Sequence, residues 1–267
     1  MRVCINGICG RMGRRIAALI LQNKELELTG GLEFKGNSEI GKDIGRLVGF
    51  DEIGIEVSDD AEKVVKKSDC VVDFSTKDAT KELIEIIDRT NIKAVIGTTG
   101  LDNKFIDRLK KIGEKTAVVQ SPNMSIGVNL LFKIAPEIAK ILGKGFDIEI
   151  VEAHHKHKID APSGTAKKIA ENIASTLGKN INDVVVYGRD GIVGERKDNE
   201  IGIFAVRGGD IVGEHTIIFA GIGERIELIH RAQSRDTFAI GAIKALLFLK
   251  DKTKGFYTMM DVLGIPK

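Results

Sequence analysis

Residues 1–13, MRVCINGICGRMG, decide how the rest of the chain is read. Met1 to Asn6 are a short run of β-type residues, Gly7, Gly10 and Gly13 follow at intervals of three, and Ile16, Ala17, Leu19 and Ile20 then recur with helical period. The pattern is strand, glycine turn, helix. Glycine lets the backbone turn tightly and come close to a pyrophosphate, whose charge is met by the amides at the helix N-terminus. The spacing is GxxGxxG rather than the commoner GxGxxG, but the physical demand is the same. A carboxylate adds to the signal: Glu33 lies twenty positions past Gly13, at the end of a second strand pattern over residues 26–32. At that place it would accept hydrogen bonds from the hydroxyls of an adenosine ribose.

Working outward, residues 34–57 are rich in glycine and charge and predict a surface connection leading to a short strand at 53–57. Regular alternation follows, with helices at 61–67, 78–89 and 103–111 preceding strands at 70–74, 94–97 and 117–120. Val- and Ile-rich strands alternating with amphipathic helices predict a Rossmann-like, doubly wound parallel sheet. Its ligand lies outside the carboxyl ends of the strands. Those ends carry Gly7, Glu33, Phe74-Ser75-Thr76, Gly97-Thr98-Thr99-Gly100 and Ser121-Pro122-Asn123-Met124. After residue 124 the texture changes. A helix at 128–142 leads to a strand at 146–152, a helix at 166–177, and strands at 184–187, 201–207, 214–219 and 224–230. This predicts a second α+β domain on an open mixed sheet. The expected boundaries are 1–124 and 125–234. The last helix, 238–249, and the tail close either domain as far as pattern goes.

Within the second of these domains, on the loop after the strand at 146–152, lies VEAHHKHKIDAPSGTA, residues 151–166. His154, His155 and His157 crowd a strand end with Lys156 and Lys158 among them. Neighbouring cations favour neutral imidazole, while a bound dianion favours its protonation, which suits proton transfer linked to binding. Ser163 is placed to cap the next helix, and the amides around Gly164 and Thr165 to hold a carboxylate. The stretch is suited to a small acidic molecule. Solvated histidines beside an ordinary helix cap are the plain alternative. Zinc is disfavoured because HHxH lacks a supporting carboxylate or thiolate cluster, and adjacent histidines on a strand face opposite ways. A phosphate loop is disfavoured because PSGTAKK lacks the GxxxxGK spacing. His215 and His230 are read as satisfied sheet residues, and Arg225, Arg231 and Arg235 as candidates for extra positive charge.

The 267 residues are enough for one large domain or two modest ones. A formal net charge of +2 offers no broad basic field for nucleic acid, so any anion site is local. The apolar run at 242–249 is broken by Lys244 and too short for a bilayer, and Met1 leads straight into a strand pattern with no signal-peptide character. Three cysteines, an odd number with no CxxC pair, point to a reducing cytoplasm and no structural metal.

GICGRMG, GTTG, SPNMSIGVN, HHKHKIDAPSGTA and GEHTIIFAGIGERIELIH, in this order, closely resemble the dihydrodipicolinate reductase family. The match covers nearly the whole chain, and its middle motif is the specific one. The resemblance implies a reductase using NADH or NADPH to reduce a cyclic dicarboxylate imine in lysine and diaminopimelate biosynthesis. It implies His154 as the acid/base residue, Lys158 as proton donor, and His155, Gly164 and Thr165 as contacts to substrate carboxylates. It also implies a cofactor site of Gly7, Ile8, Cys9, Gly10, Arg11, Met12, Glu33, Phe34, Lys35, Gly97, Thr98, Thr99, Ser121, Pro122, Asn123 and Met124. A homotetramer built through the second domain's sheet, and a return of residues 235–267 to the first domain, are further implications. Where many members follow the acidic residue with Arg, this chain has Phe34 and Lys35. Glu33 favours NADH by bonding the ribose diol and repelling a 2′-phosphate, and Lys35 offsets this in part. Other nicotinamide enzymes fit less well. Neither Tyr187 nor Tyr257 is followed by Lys four positions later, and no Cys lies beyond Cys70 to act as a nucleophile. A dinucleotide-sensing protein without turnover is the alternative of another class.

Overall fold

The computed structural model describes residues 1–266. In chain order the first elements are β1 (Arg2–Asn6), α1 (Arg11–Leu21), β2 (Glu27–Leu32), α2 (Ile44–Leu47), β3 (Val57–Ser58), α3 (Ala61–Val65), β4 (Cys70–Asp73) and α4 (Lys77–Thr90). Next come β5 (Lys93–Ile96), α5 (Asn103–Ile112), β6 (Ala117–Gln120), α6 (Ile126–Leu142), β7 (Asp147–His154), α7 (Gly164–Thr176) and α8 (Ile181–Val184). The remainder is β8 (Val185–Tyr187), β9 (Ile201–Arg207), β10 (Gly213–Ala220), β11 (Arg225–Ala232), α9 (Asp236–Lys250), β12 (Gly255–Tyr257) and α10 (Met259–Val262). Two compact units result, one of Met1–Ile126 with Asp236–Lys267, the other of Gly127–Arg235.

The first unit holds a seven-stranded sheet in the order β12-β6-β5-β4-β1-β2-β3, parallel throughout. Its central strands read as unbroken apolar runs because both faces are covered. Alternate residues divide between the faces. Val3, Ile5, Val72, Val95 and Val119 pack with residues of α1 and α9, while Cys4, Val71, Ala94, Ile96 and Val118 pack with residues of α3, α4 and α5. Strand order reverses at β1, between β2 on one side and β4 on the other, which sets the ligand crevice at the carboxyl ends of β1 and β4. Helix α9 and β12 settle the place of the tail, since both belong to this unit.

The strand expected at 53–57 is shortened to Val57–Ser58. The cause is Asp43. Its carboxylate accepts the amides of Ile53, Gly54 and Ile55 at 2.8–3.3 Å and so draws them out of the ladder. The same carboxylate caps α2, a helical turn within what the sequence presents as plain connection.

The second unit holds a five-stranded sheet in the order β11-β10-β7-β9-β8, with β10 antiparallel to both neighbours and the β7–β9 and β9–β8 pairs parallel. Strand alternation gives two unlike faces. Ile148, Ile150, Glu152 and His154 of β7 and His215, Ile217 and Phe219 of β10 are buried on the face that also meets α7. The opposite face carries Val151, Phe204 and Ile218, all half-buried, with Val206 and Ile229 about half exposed.

Candidate active site

At the carboxyl edge of the first sheet, backbone geometry demands the glycines. A Cβ on Gly13 would lie 2.1 Å from the Gly7 carbonyl oxygen, and one on Gly7, whose φ is +80°, would lie 2.8 Å from that of Phe74. Helix α1 begins at Gly10 with no side-chain cap and no acidic residue in its first turn. By contrast α3, α4 and α5 are each capped by their own side chain, from Asp60, Thr76 and Asp102. The N-terminus of α1 therefore keeps its positive end for an external anion. Glu33 closes on this turn, its carboxylate accepting the Cys9 amide at 3.0 Å and the Phe34 amide at 3.2 Å. Burial, then Glu33, pushes the Cys9 thiol up to about 11, so it stays protonated. Ile8 is fully buried and offers only backbone, whereas Phe34 and Lys35 are exposed.

A cavity of about 470 Å³ gathers Arg11, Met12, Gly97, Thr98, Thr99, Pro122, Asn123 and Met124 with Phe74, Ser75 and Phe238. Gly97 is required there, because a Cβ would meet the Phe74 ring at 2.3 Å. Ser121 is buried, with its hydroxyl donating to the Asn123 carbonyl at 2.7 Å, and so shapes the loop from below. Asp73 carries no functional signal in the sequence. This carboxylate is fully buried at the end of β4 and accepts from Asn6 Nδ2 (2.8 Å), Ser75 Oγ (2.5 Å), Thr80 Oγ1 (2.6 Å) and Thr98 Oγ1 (2.8 Å). It ties together the ends of β1 and β4 and the loop after β5. A dinucleotide's phosphates and nicotinamide fit these residues: an uncapped helix start, a turn that excludes side chains, and an adjoining cavity that sets the hydroxyls of Ser75, Thr98 and Thr99 and the Asn123 amide among apolar side chains.

The second unit gathers the charged stretch at the end of β7. Glu152 and His154 are two residues apart and face the same side of the strand, and His154 Nδ1 lies 2.6 Å from Glu152 Oε2. Arg207, at the end of the neighbouring strand β9, grips Glu152 with both terminal nitrogens at 2.8 Å. The Ser163 amide gives the carboxylate another donor at 2.9 Å. Burial pushes the Glu152 carboxyl up, but Arg207, His154 and the Ser163 amide outweigh it and hold it below the usual carboxylate range. For His154, burial outweighs Glu152 and lowers the imidazole, helped by Lys158 and Arg207.

Ser163 caps α7, accepting the Ala166 amide at 3.2 Å, as the sequence predicts. Gly164 and Thr165 form the first turn of that helix, where amides have no intrahelical acceptor. Lys158 pairs with Asp160 at 2.7 Å. The rings of His155 and His157 are neighbours, with centroids 6.3 Å apart. His215 is more than a sheet residue. Its Nε2 lies 3.1 Å from Ser163 Oγ and its ring meets that of His154 edge-on at 5.3 Å, while burial presses its imidazole down to about 3. Arg225 and Arg231 instead pair at the surface with Glu227 and Glu214, and the guanidinium that reaches the cluster is that of Arg207. Among the described residues, no group of three or more His, Cys, Asp or Glu is placed to hold a metal ion. Nor is any helix long and apolar enough to cross a membrane.

Family models for the dihydrodipicolinate reductase N-terminus and C-terminus match residues 1–124 and 127–263. The chain belongs to the dihydrodipicolinate reductase family. A 4-hydroxy-tetrahydrodipicolinate reductase of Desulfotalea psychrophila is 49% identical over 99% of this chain and 98% of its own length. One of Paraburkholderia phymatum is 46% identical over 99% of this chain and 100% of its own. Among solved structures, a dipicolinate-bound dihydrodipicolinate reductase from Paenisporosarcina sp. TG-14 superposes with a TM-score of 0.76 at 26% identity, covering 98% of each chain. Members of the dihydrodipicolinate reductase family are oxidoreductases with a nicotinamide cofactor, and this chain is one of them.

Proposed function

We propose that the protein is a 4-hydroxy-tetrahydrodipicolinate reductase. It reduces the dihydrodipicolinate imine, formed from the hydroxy compound by loss of water, to tetrahydrodipicolinate on the route to diaminopimelate and lysine. The observation that carries this reading is the cluster at the end of β7, where a carboxylate-bonded His154, the Lys158 ammonium and the capped start of α7 meet. When bound, the dihydronicotinamide supplies a hydride. Lys158 or His154 supplies the proton that completes the reduction, and Gly164, Thr165 and His155 hold the substrate's carboxylates.

The cofactor belongs to a dinucleotide-binding domain of residues 1–124 completed by 235–267. Gly7, Ile8, Cys9 and Gly10 bring backbone amides to its pyrophosphate, and Arg11 and Met12 continue that edge. Glu33, Phe34 and Lys35 read the adenosine ribose, while Gly97, Thr98, Thr99, Ser121, Pro122, Asn123 and Met124 frame the nicotinamide. Residues 125–234 bind substrate and oligomerise. The half-exposed Val206 and Ile229 on the uncovered sheet face support a homotetramer assembled there. We place the enzyme in the cytoplasm, in keeping with buried thiols at Cys4 and Cys70.

The test is to mix the condensation product of pyruvate and aspartate semialdehyde with NADH or NADPH and follow the loss of cofactor absorbance. Both cofactors should be oxidised, with NADH at least as good, because Glu33 repels a 2′-phosphate and Lys35 only partly compensates. Oxidation of neither would leave a dinucleotide-sensing protein standing. A kcat/KM for NADPH more than about tenfold above that for NADH would overturn the role given to Glu33.

A further inference from the structure

Glu152 is wholly buried and no step of the reaction uses it, yet it touches three separate parts of the substrate unit. We infer that Glu152 is a positioning residue that fixes the tautomer and orientation of His154 and braces that imidazole against the carboxylate-holding start of α7. The inference rests on the acid/base reading of His154 proposed above.

Three donors fix the state of the Glu152 carboxylate. Arg207 Nη1 and Nη2 and the Ser163 amide can only donate, and all three point at the Glu152 carboxylate at 2.8–2.9 Å. A carboxylate with three such donors is ionised and acts purely as acceptor. The nitrogen of His154 that faces it at 2.6 Å must then carry a proton, so Nδ1–H is dictated by the partners. Neutral His154 is left with its lone pair on Nε2, and protonated His154 with an Nε2–H to give. The Nε2 side borders Gly213, where a Cβ would come within 3.1 Å. Glycine at that position keeps this edge of the ring clear.

Charge follows the same pattern. Glu152 and Arg207 cancel, so the cluster is neutral with neutral His154 and gains one positive charge when the imidazole is protonated. The charged and titratable groups acting on that imidazole are Glu152, Lys158, Arg207 and His215, and of these only Glu152 favours protonation. Removing the Glu152 charge leaves the others unopposed. The Ser163 amide shares the carboxylate with His154, and the Ser163 hydroxyl holds both the α7 amide of Ala166 and His215. The helix start and the proton-transferring ring thus stand on one anion.

The experiment compares wild type with Glu152→Gln and Glu152→Asp. Imidazole nitrogen NMR follows the rings, with His154→Gln identifying the His154 signals among the five histidines. Wild type should show the Nδ1–H form. Glu152→Gln, whose amide can donate to Nδ1, should shift His154 to Nε2–H, lower its titration midpoint and move the matching limb of the pH–rate profile the same way. Its kcat should fall about tenfold or more, with KM for NADH within about twofold of wild type. Glu152→Asp keeps the charge but not the reach, and should lie between the two. An unchanged His154 tautomer and midpoint in whichever variant folds would overturn the inference. Full turnover by His154→Gln would instead sink the acid/base reading, and the NMR result would still decide the coupling.

Discussion

Lys158 lies against Asp160 at 2.7 Å with about a fifth of its side chain exposed. The contact holds the ammonium on the loop between β7 and α7, close enough to His154 to lower that imidazole. A lysine paired with a neighbouring carboxylate is easily redirected by an arriving dicarboxylate, which suits the proton donor proposed above. Lys158→Ala should therefore lose about a hundredfold or more in kcat while keeping its melting temperature and its affinity for NADH. Near-normal turnover in that variant would take Lys158 out of the chemistry. At this scale the sequence shows the side chains proposed to react but not their supports. His154, Lys158 and the Ser163 cap are legible because they lie within one short stretch. Arg207 is not legible, since it meets Glu152 across 55 residues through the pairing of β9 with β7. Glu152 itself could have been found from strand period, being two places before His154 on the same face.

Among the elements, the turn between β1 and α1 leaves no room for a side chain at Gly7 or Gly13. Both the Gly7 carbonyl and the Gly13 Cα are fixed, one by the sheet and the other by the helix, so an added methyl has nowhere to go. Gly13→Ala should cost about 1–3 kcal/mol of stability and weaken NADH binding more than about tenfold, read by fluorescence titration and by a melting curve. Unaltered NADH affinity in a folded variant would refute the placement of the pyrophosphate at this turn. The β–α alternation from β4 to β6 is legible because its short strands, buried on both faces, are almost wholly apolar. The segment before β3 is not. One carboxylate, Asp43, reorganises residues 43–55 through side-chain-to-backbone bonds that carry no periodic signature. Asp73 escapes notice for a similar reason, as an acidic residue ending an apolar strand reads like a loop boundary until its four donors are seen.

For the whole molecule, pH acts on folding through buried imidazoles. The His215 imidazole titrates near 3 in the folded chain against an ordinary value of 6.5, and those of His154 and His230 are lowered as well. A lowered histidine binds its proton more readily once unfolded. Its contribution to stability is complete above pH 6.5 and is lost as the pH falls toward 3. Between about pH 7.5 and about pH 5 the loss from His215 alone should approach about 2 kcal/mol, seen as a lower urea midpoint. His215→Gln should flatten that decline. An equally steep decline in the variant would remove His215 as its cause.

The first sheet contains a consequence for synthesis. Its apolar face against α1 is covered by Ala239, Ala242, Leu246 and Leu249 of α9, and its outer edge is completed by β12. All of these residues follow the second unit in the chain. A ribosome therefore delivers the whole of Gly127–Arg235 while one side of the nucleotide-binding core still lacks its cover. The inserted unit is made in time to fold first. Its host, although begun earlier, is finished later, and during that interval Val3, Ile5 and Val72 have the cover of α1 but not yet that of α9.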